Sequence, residues 1–405
     1  MPDSAKSRSP DITLVVTILV LASSVSIMST DMYAPSLPDL ANEFNTTPTR
    51  VKLTISLNLL AFGIAQLLHG PLSDRFGRRP VLLWSLAGVV LGCVLCVISQ
   101  SINQLIAARI FLGFVAAAEA VIGLAIIKDL FNEKQQMKAL ALLGMVIAIV
   151  PAIAPILGGY LHVAFGWESN FLFIAGMALV AAIAVYHYLP ESTEPDLKAL
   201  NVRRVVSAYG RLLKNADFLS HTLVLGVALG LIFVFVTAAP FVLISNFGVP
   251  VHLFGYHQAA IVVAFFVGSF IASKLVDHWT ADRLLGAGVI FIVLGCITLI
   301  VLISTNTLRP YTLVAAYSIM FFGMGPLFAV APSHALRSIK GQSGSASALL
   351  SGLEQSLAAL SGVVVSVLHD GTAKPMASVT TFLTLLLLLL VWWIRRQNCV
   401  QYQIR

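Results

Sequence analysis

Apolar residues gather along the chain in long runs, and short polar stretches between the runs hold nearly all of its charge. A run of about twenty residues wound at 1.5 Å per residue spans a hydrocarbon core of about 30 Å. The runs predict helices over residues 12–35, 50–70, 79–99, 104–128, 137–161, 168–189, 218–245, 253–275, 284–303, 310–331, 343–368 and 376–394. In lipid, only helices and closed barrels satisfy every backbone group. The runs are continuously apolar rather than alternating, which selects helices. The longest polar stretch runs from Pro190 to Asp217. It divides the predicted helices six and six, as in an internally duplicated architecture. The expected fold is therefore an all-α membrane protein of 12 transmembrane helices in two six-helix bundles. Its expected parts are an N-terminal bundle over 1–189, a linker over 190–217 and a C-terminal bundle over 218–405. Lys198, Arg203, Arg204, Arg211 and Lys214 mark part of the linker as a basic amphipathic segment on the membrane surface.

Composition agrees with that pattern. Of 405 residues 58% are hydrophobic and 11% charged, against about 25% charged in soluble proteins. The formal charge is +7, but the basic residues are scattered over loops, so a nucleic-acid partner is not expected. Twenty Lys and Arg fall on the side of the termini, the linker and loops 2–3, 4–5, 8–9 and 10–11, and four on the other, with Arg109 inside a helix. That bias places both termini in the cytoplasm. Cys93 and Cys96 lie inside an apolar run, where helix packing accounts for them better than redox chemistry. No cleaved signal peptide is expected, because the first apolar run flows into an acidic, Pro-containing segment. No metal-ligand spacing and no phosphate-binding loop is present, so no cofactor is expected.

Beyond the first and last three residues of each predicted helix, four charges remain: Asp31 in helix 1, Arg109 and Glu119 in helix 4, and Glu354 in helix 11. A charge at bilayer depth costs a few kcal/mol and usually faces a cavity. Asp31 and Arg109 share a depth in the outer third, where they could meet or share a water-filled space. Glu119 and Glu354 fall nearer the midplane. Burial disfavours an ionised carboxyl and a nearby Arg favours it, so such acids suit proton uptake and release. Asp31 is the first proton-coupling candidate, with Arg109 as its tuning partner and Glu119 as the second. Plainer roles stay open: Asp31 as the cap of a kink, Arg109 reaching outward to headgroups, Glu119 and Glu354 as interhelical hydrogen-bonding groups. Tyr33, Phe233, Phe235, Tyr317 and Phe321, with Asp31, Glu119 and Glu354, are the candidate lining of a substrate cavity for flat, apolar molecules. Each aromatic could equally be core.

The segment from Gly70 through Asp74, Arg75, Gly77, Arg78 and Arg79 to Pro80 joins helices 2 and 3. It resembles the loop 2–3 signature of the major facilitator superfamily. Arg109 and Gly113, with Asp129 at the far end of helix 4, resemble that superfamily's helix 4 motif. Gly144 to Gly159, through Pro151, Pro155 and Gly158, is similar to the helix 5 antiporter motif of its exporters, with Ala154-Pro155 in place of the usual Gly-Pro. The string Ser29-Thr30-Asp31-Met32-Tyr33-Ala34-Pro35-Ser36-Leu37-Pro38 resembles helix 1 of the Bcr/CflA-type branch, the bicyclomycin and chloramphenicol/florfenicol resistance exporters. The resemblance implies two bundles around a central cavity lined by helices 1, 4, 7 and 10. It implies proton-driven efflux of small apolar molecules by alternating access, in a bacterial inner membrane, by a single copy of the chain. It makes Gly70, Asp74, Arg75, Gly77, Arg78, Arg79 and Asp129 a cytoplasmic latch. Its partners would be the bilayer, a small-molecule substrate and protons. Export of a native metabolite or siderophore is a second reading, and a membrane-embedded enzyme using His369-Asp370 a remote third.

Overall fold

A computed structural model describes residues 11–196, 202–337, 339 and 343–403. Lys198, one of the linker cations named above, lies outside them. Among the described residues, 12 helices are long and apolar enough to cross a membrane. Helix 1 spans Ile12–Asp31 and continues, after a tight turn at Ala34–Ser36, as a short helix Leu37–Glu43. Helices 2 to 6 are Pro48–Phe76, Arg78–Val97, Ile102–Leu130, Glu133–Phe165 and Glu168–Tyr188. Helix 7 is Ala216–Pro240, extended by a wider turn over Phe241–Asn246. Helices 8 to 12 are Val251–Leu275, Ala281–Ser304, Pro310–Arg337, Ser343–Val367 and Lys374–Gln403. A linker helix, Val202–Leu213, precedes helix 7.

Local signals set the boundaries. Asn132 and Gln135 cap helix 5 reciprocally, each side chain reaching the other's backbone N–H. Asp11, Ser101, Asn215 and Thr280 cap helices 1, 4, 7 and 9 through their side-chain oxygens. Gly77, at φ +96°, ends helix 2 and opens helix 3 in a conformation that favours glycine. Pro71 lies within helix 2 and cannot donate to the carbonyl of Leu67. Tyr209 of the linker helix fills that place, its hydroxyl donating to Leu67 O at 3.1 Å.

Helices 1 to 6 pack mainly with one another, as do helices 7 to 12, giving two six-helix bundles. Cys93, Cys96 and Cys296 are free and buried between helices. Two seams join the bundles. Helix 2 lies along helix 11, and helix 5 crosses helix 8. We call the side bearing loop 2–3 and the linker the linker face, and the opposite side the distal face. Helices 5 and 8 meet toward the distal face, over residues that include Ile156, Gly159, Val251 and Gly255. On the linker-side half of helix 5, Gly144 is exposed, with nothing within 4 Å of the point where a Cβ would stand.

Candidate functional site

Helix 1 packs against helices 4, 5 and 6. From Ala22 to Pro38 every residue is buried except Ile27 and Asp31, which are partly accessible. They stand one helical turn apart, so a single face of the helix stays open along this stretch. Ile27 gives that face an apolar surface, and Asp31 places a carboxyl on it. Arg109 does not reach it. Its side chain is 0% exposed, and Nη1 donates to Ser29 O at 2.6 Å. The guanidinium lies 4.9 Å from the centre of the Tyr33 ring and 5.6 Å from that of Phe171 on helix 6. Ser29 and Tyr33 each lie two residues from Asp31, about 200° around the helix. Arg109 thus grips helix 1 just before and just after Asp31, from the opposite face. Depth brought the two residues together in the sequence reading, and azimuth separates them in the fold. Asn58 of helix 2 secures the same region, donating to Arg109 O at 2.7 Å.

The other intramembrane acids differ from each other. Glu119 is 1% exposed, and neither carboxyl oxygen has a hydrogen-bond partner among the described residues. Its neighbourhood is the seam of helices 1 and 4, where Ser26 Oγ donates to Ala116 O at 3.2 Å. Glu354 is half-buried on helix 11 beside Gly226 of helix 7, whose close approach the missing side chain permits. Expected together on a cavity wall, the acids fall into two environments. Asp31 and Glu354 keep some accessible surface, while Glu119 is sealed inside the N-terminal bundle.

Most of the aromatics are interior. Phe235 packs 4.9 Å from the Tyr317 ring and 6.2 Å from Phe321. These three side chains are 1%, 0% and 4% exposed and form part of the C-terminal core. Tyr317 can bury because its hydroxyl meets Thr380 Oγ1 at 2.8 Å. Tyr33 is likewise 0% exposed, its hydroxyl 3.2 Å from Thr54 Oγ1. Phe233 is partly buried and is the aromatic of this set that keeps accessible surface. Expected as cavity lining, Tyr33, Glu119, Phe235, Tyr317 and Phe321 are placed within bundle interiors in this conformation.

The loop 2–3 residues form one cluster. Arg78 sits at its centre, 2.5 Å from Asp74 and 3.1 Å from Asp129 of helix 4, and donates to Ser73 Oγ at 2.6 Å. Arg79 donates to Tyr186 O and covers that ring at 5.6 Å. Arg75 lies over Phe76 at 5.4 Å, and Gly70 packs loosely beside Val121. Glu191, in the sequence only one charge of the polar linker stretch, accepts the backbone N–H groups of Arg78 and Arg79 at 2.9 and 3.2 Å. Its charge lies at the positive end of helix 3. Its position just after helix 6 was the available signal. Ser192 and Asp196 add bonds to Asp129 and to Asp74 O. The cluster therefore ties helices 2, 3, 4 and 6 of one bundle to the start of the linker.

The helix 5 motif acts by close approach. A Cβ on Gly158 would strike the carbonyl oxygen of Met32, with the carbonyl carbon at 2.7 Å, and one on Gly159 would lie 2.8 Å from Val251 O. Pro155 is buried, and Pro151 O accepts from Gln258 Nε2 at 3.5 Å. Gly144 takes no part in this contact. At the distal end, Tyr160 and Tyr256 hydroxyls meet at 3.4 Å. On the second seam, Ser56 and Ser366 hydroxyls meet at 3.4 Å. Lys52 is 2% exposed, its Nζ 2.7 Å from His369 Nδ1 and 4.7 Å from the centre of the Phe241 ring. Lys52 is one of the four cations counted to the far side in the sequence. Its place within the first turn of helix 2 was the sign of another role.

Comparison with known proteins places this geometry. The family model described as Major Facilitator Superfamily matches residues 19–363. A bicyclomycin resistance protein homolog of Haemophilus influenzae is 30% identical, covering 85% of this chain and 87% of its own. A chloramphenicol resistance protein of Pseudomonas aeruginosa is 27% identical over 92% and 89%. Multidrug resistance protein D of Escherichia coli is 27% identical over 95% and 96%. Among solved structures, a bacterial homolog of the human lysosomal transporter Spinster, inward-facing and unoccupied, superposes with a TM-score of 0.71 at 14% identity, covering 95% of each chain.

Proposed function

This chain belongs to the major facilitator superfamily, and from that premise we propose that it exports small, largely apolar drug-like molecules in exchange for protons, by alternating access. The family makes it a transporter rather than an enzyme. The resistance named in its relatives, together with the helix 5 motif, supports export of drugs. The Lys and Arg bias supports a linker face turned to the cytoplasm, with both termini there, in the inner membrane of a bacterium. The proposed units are residues 1–189 and 218–405 about the linker 190–217.

The observation that carries the reading is the accessible carboxyl of Asp31, on the open face of an otherwise buried stretch of helix 1. In this proposal that face borders the space between the bundles, and Ile27 beside Asp31 offers apolar cargo a matching surface. Asp31 takes a proton while that space opens to the distal face and gives it up when the space opens to the linker face. Ionised, the carboxyl favours the hydrated state; neutral, it tolerates closure, because burying a charge costs several kcal/mol and burying the acid costs far less. Arg109 acts as a positioning residue. Its grip on Ser29 O and Tyr33 fixes the turn that presents Asp31. Glu119 is proposed as a second, occluded proton site. The loop 2–3 latch, through Asp74, Arg78 and Asp129, holds the cytoplasmic ends of the first bundle as one body while the halves rock.

The test is Asp31→Asn, read as drug accumulation in inverted vesicles under an imposed pH gradient. Proton-driven transport should disappear while the amount of folded protein stays the same. Undiminished transport in that variant removes Asp31 from the mechanism.

A further inference from the structure

The distal end of the helix 2–helix 11 seam holds a charged contact that export chemistry at Asp31 does not use. Lys52 of helix 2 reaches across to His369, in the loop after helix 11, at 2.7 Å. A lysine ammonium has three donors and no acceptor. With Lys52 as an ammonium, the ring nitrogen it meets accepts, which requires a neutral His369 with its proton on Nε2. Phe241, at the end of helix 7, completes the pocket, its ring 4.7 Å from Nζ and 5.8 Å from the imidazole. Lys52 is 2% exposed and His369 half-buried, so the bond is sheltered from water.

We propose that Lys52 and His369 form a further proton-binding site, distinct from Asp31 and Glu119: a lock on the distal face that is closed while His369 is neutral and released when it takes a proton. A proton on Nδ1 removes the acceptor and sets two cations against each other at hydrogen-bond distance. The charged groups acting on the imidazole are Lys52, from helix 2, and Asp370, from its own loop. Phe241, from helix 7, offers only its ring. Asp370 is exposed and turned into its own turn, accepting from Thr372 N at 2.8 Å and Thr372 Oγ1 at 2.7 Å. Burial first, and then the Lys52 charge, hold His369 below its ordinary value of 6.5, and Asp370 works the other way. The sign follows. The open state, with the ring in water, binds the proton more tightly than the closed state does. Closure is therefore fully favoured above the ordinary imidazole range and is lost as pH falls through it. If the distal face is the outside, as proposed above, an acidic exterior itself opens the seam that must part for a proton to reach Asp31.

The lock rests on the alternating-access reading, and a distance rather than transport tests it. Spin labels go on exposed Thr47 and Lys374 in a chain with its 4 cysteines replaced, and electron–electron resonance reads the separation from about pH 8 to about pH 5, across the imidazole range. The short-distance population should fall as pH falls. His369→Gln keeps an acceptor that does not titrate, so it should stay closed at every pH. Asp370→Asn should move the midpoint to lower pH. Lys52→Gln, in case His369→Gln does not fold, removes the repulsion and leaves the burial, so it should weaken the response without abolishing it. Asp31→Asn should leave it intact. The lock is overturned if the parent shows no response, if His369→Gln keeps it, if Lys52→Gln leaves it undiminished, or if Asp370→Asn leaves its midpoint in place. If the response instead vanishes in Asp31→Asn and persists in His369→Gln, the lock fails while the proposed coupling stands.

Discussion

Gly255→Ala should open the distal face. Gly255 on helix 8 faces helix 5 so closely that a Cβ there would stand 2.5 Å from Ile156 Cα and 2.7 Å from its Cγ1, with the backbone nitrogen nearer still. Ordinary contact begins at 3.4 Å, so the helices must separate by about 1 Å, and the obstacle is backbone that no rotamer change can move. Overpacking of this kind costs about 1–3 kcal/mol, and it falls on the closed state alone. The ratio of closed to open molecules should therefore drop by about 5- to 150-fold. The assay places a single cysteine at buried Ser56, in the distal part of the other seam, and follows its labelling by an impermeant maleimide from the distal side. Where the closed state predominates, the labelling rate should rise in the same proportion. Gly144→Ala is the matched control, because nothing lies within 4 Å of its Cβ position, and it should leave the rate unchanged. Equal rates in Gly255→Ala and the parent would refute the claim that the helix 5–helix 8 contact holds this face shut.

Two further outcomes follow from single contacts. Arg109→Lys should lower the thermal unfolding temperature, because an ammonium cannot spread over Tyr33 and Phe171 as the guanidinium does; desolvated stacking of this kind contributes about 2 kcal/mol, and an unchanged transition in detergent would show that the grip on helix 1 is incidental. Tyr209→Phe should strip the hydroxyl donor offered to the Leu67 carbonyl, costing about 0.5–1.5 kcal/mol and speeding amide exchange in the linker helix; identical exchange would mean that the helix is held by its apolar contacts alone.

The fold was legible because lipid leaves few options. Twelve apolar runs, a central polar stretch and one-sided Lys and Arg state the architecture almost directly, and each predicted helix appears. The ends differ where punctuation is subtle. Helix 2 runs on to Phe76 through Pro71, because Tyr209 meets the carbonyl that the proline leaves free. The site was legible in depth and illegible in azimuth. Hydropathy locates Asp31 and Arg109 at one level, but which face each presents depends on how helices 1, 4 and 6 pack, and packing sets Arg109 against the far side of helix 1. The aromatics of helices 7 and 10 show the same limit, since Tyr317 turns inward once Thr380 of helix 12 meets its hydroxyl. Lys52 and Glu191 were missed because their partners lie 317 and 113 residues away in sequence.

The two seams are built differently, and the difference says how the halves can move. Helix 5 meets helix 8 glycine to backbone, a fit that separation by an ångström destroys, so that seam acts as a gate. Helix 2 meets helix 11 along most of its length through small groups: Gly63 beside Ser356, Gly352 beside Leu67, and Gly362 beside Ser56. Such small residues let the two helices approach closely, which suits a seam about which the bundles rock. Among the described residues, the charged contact that crosses it is the bond from Lys52 to His369. In the proposed lock, that bond adds to the preference for the distally closed state that the helix 5–helix 8 gate supplies. The two should prove additive in their effect on closure, since they lie on separate seams and share no partner.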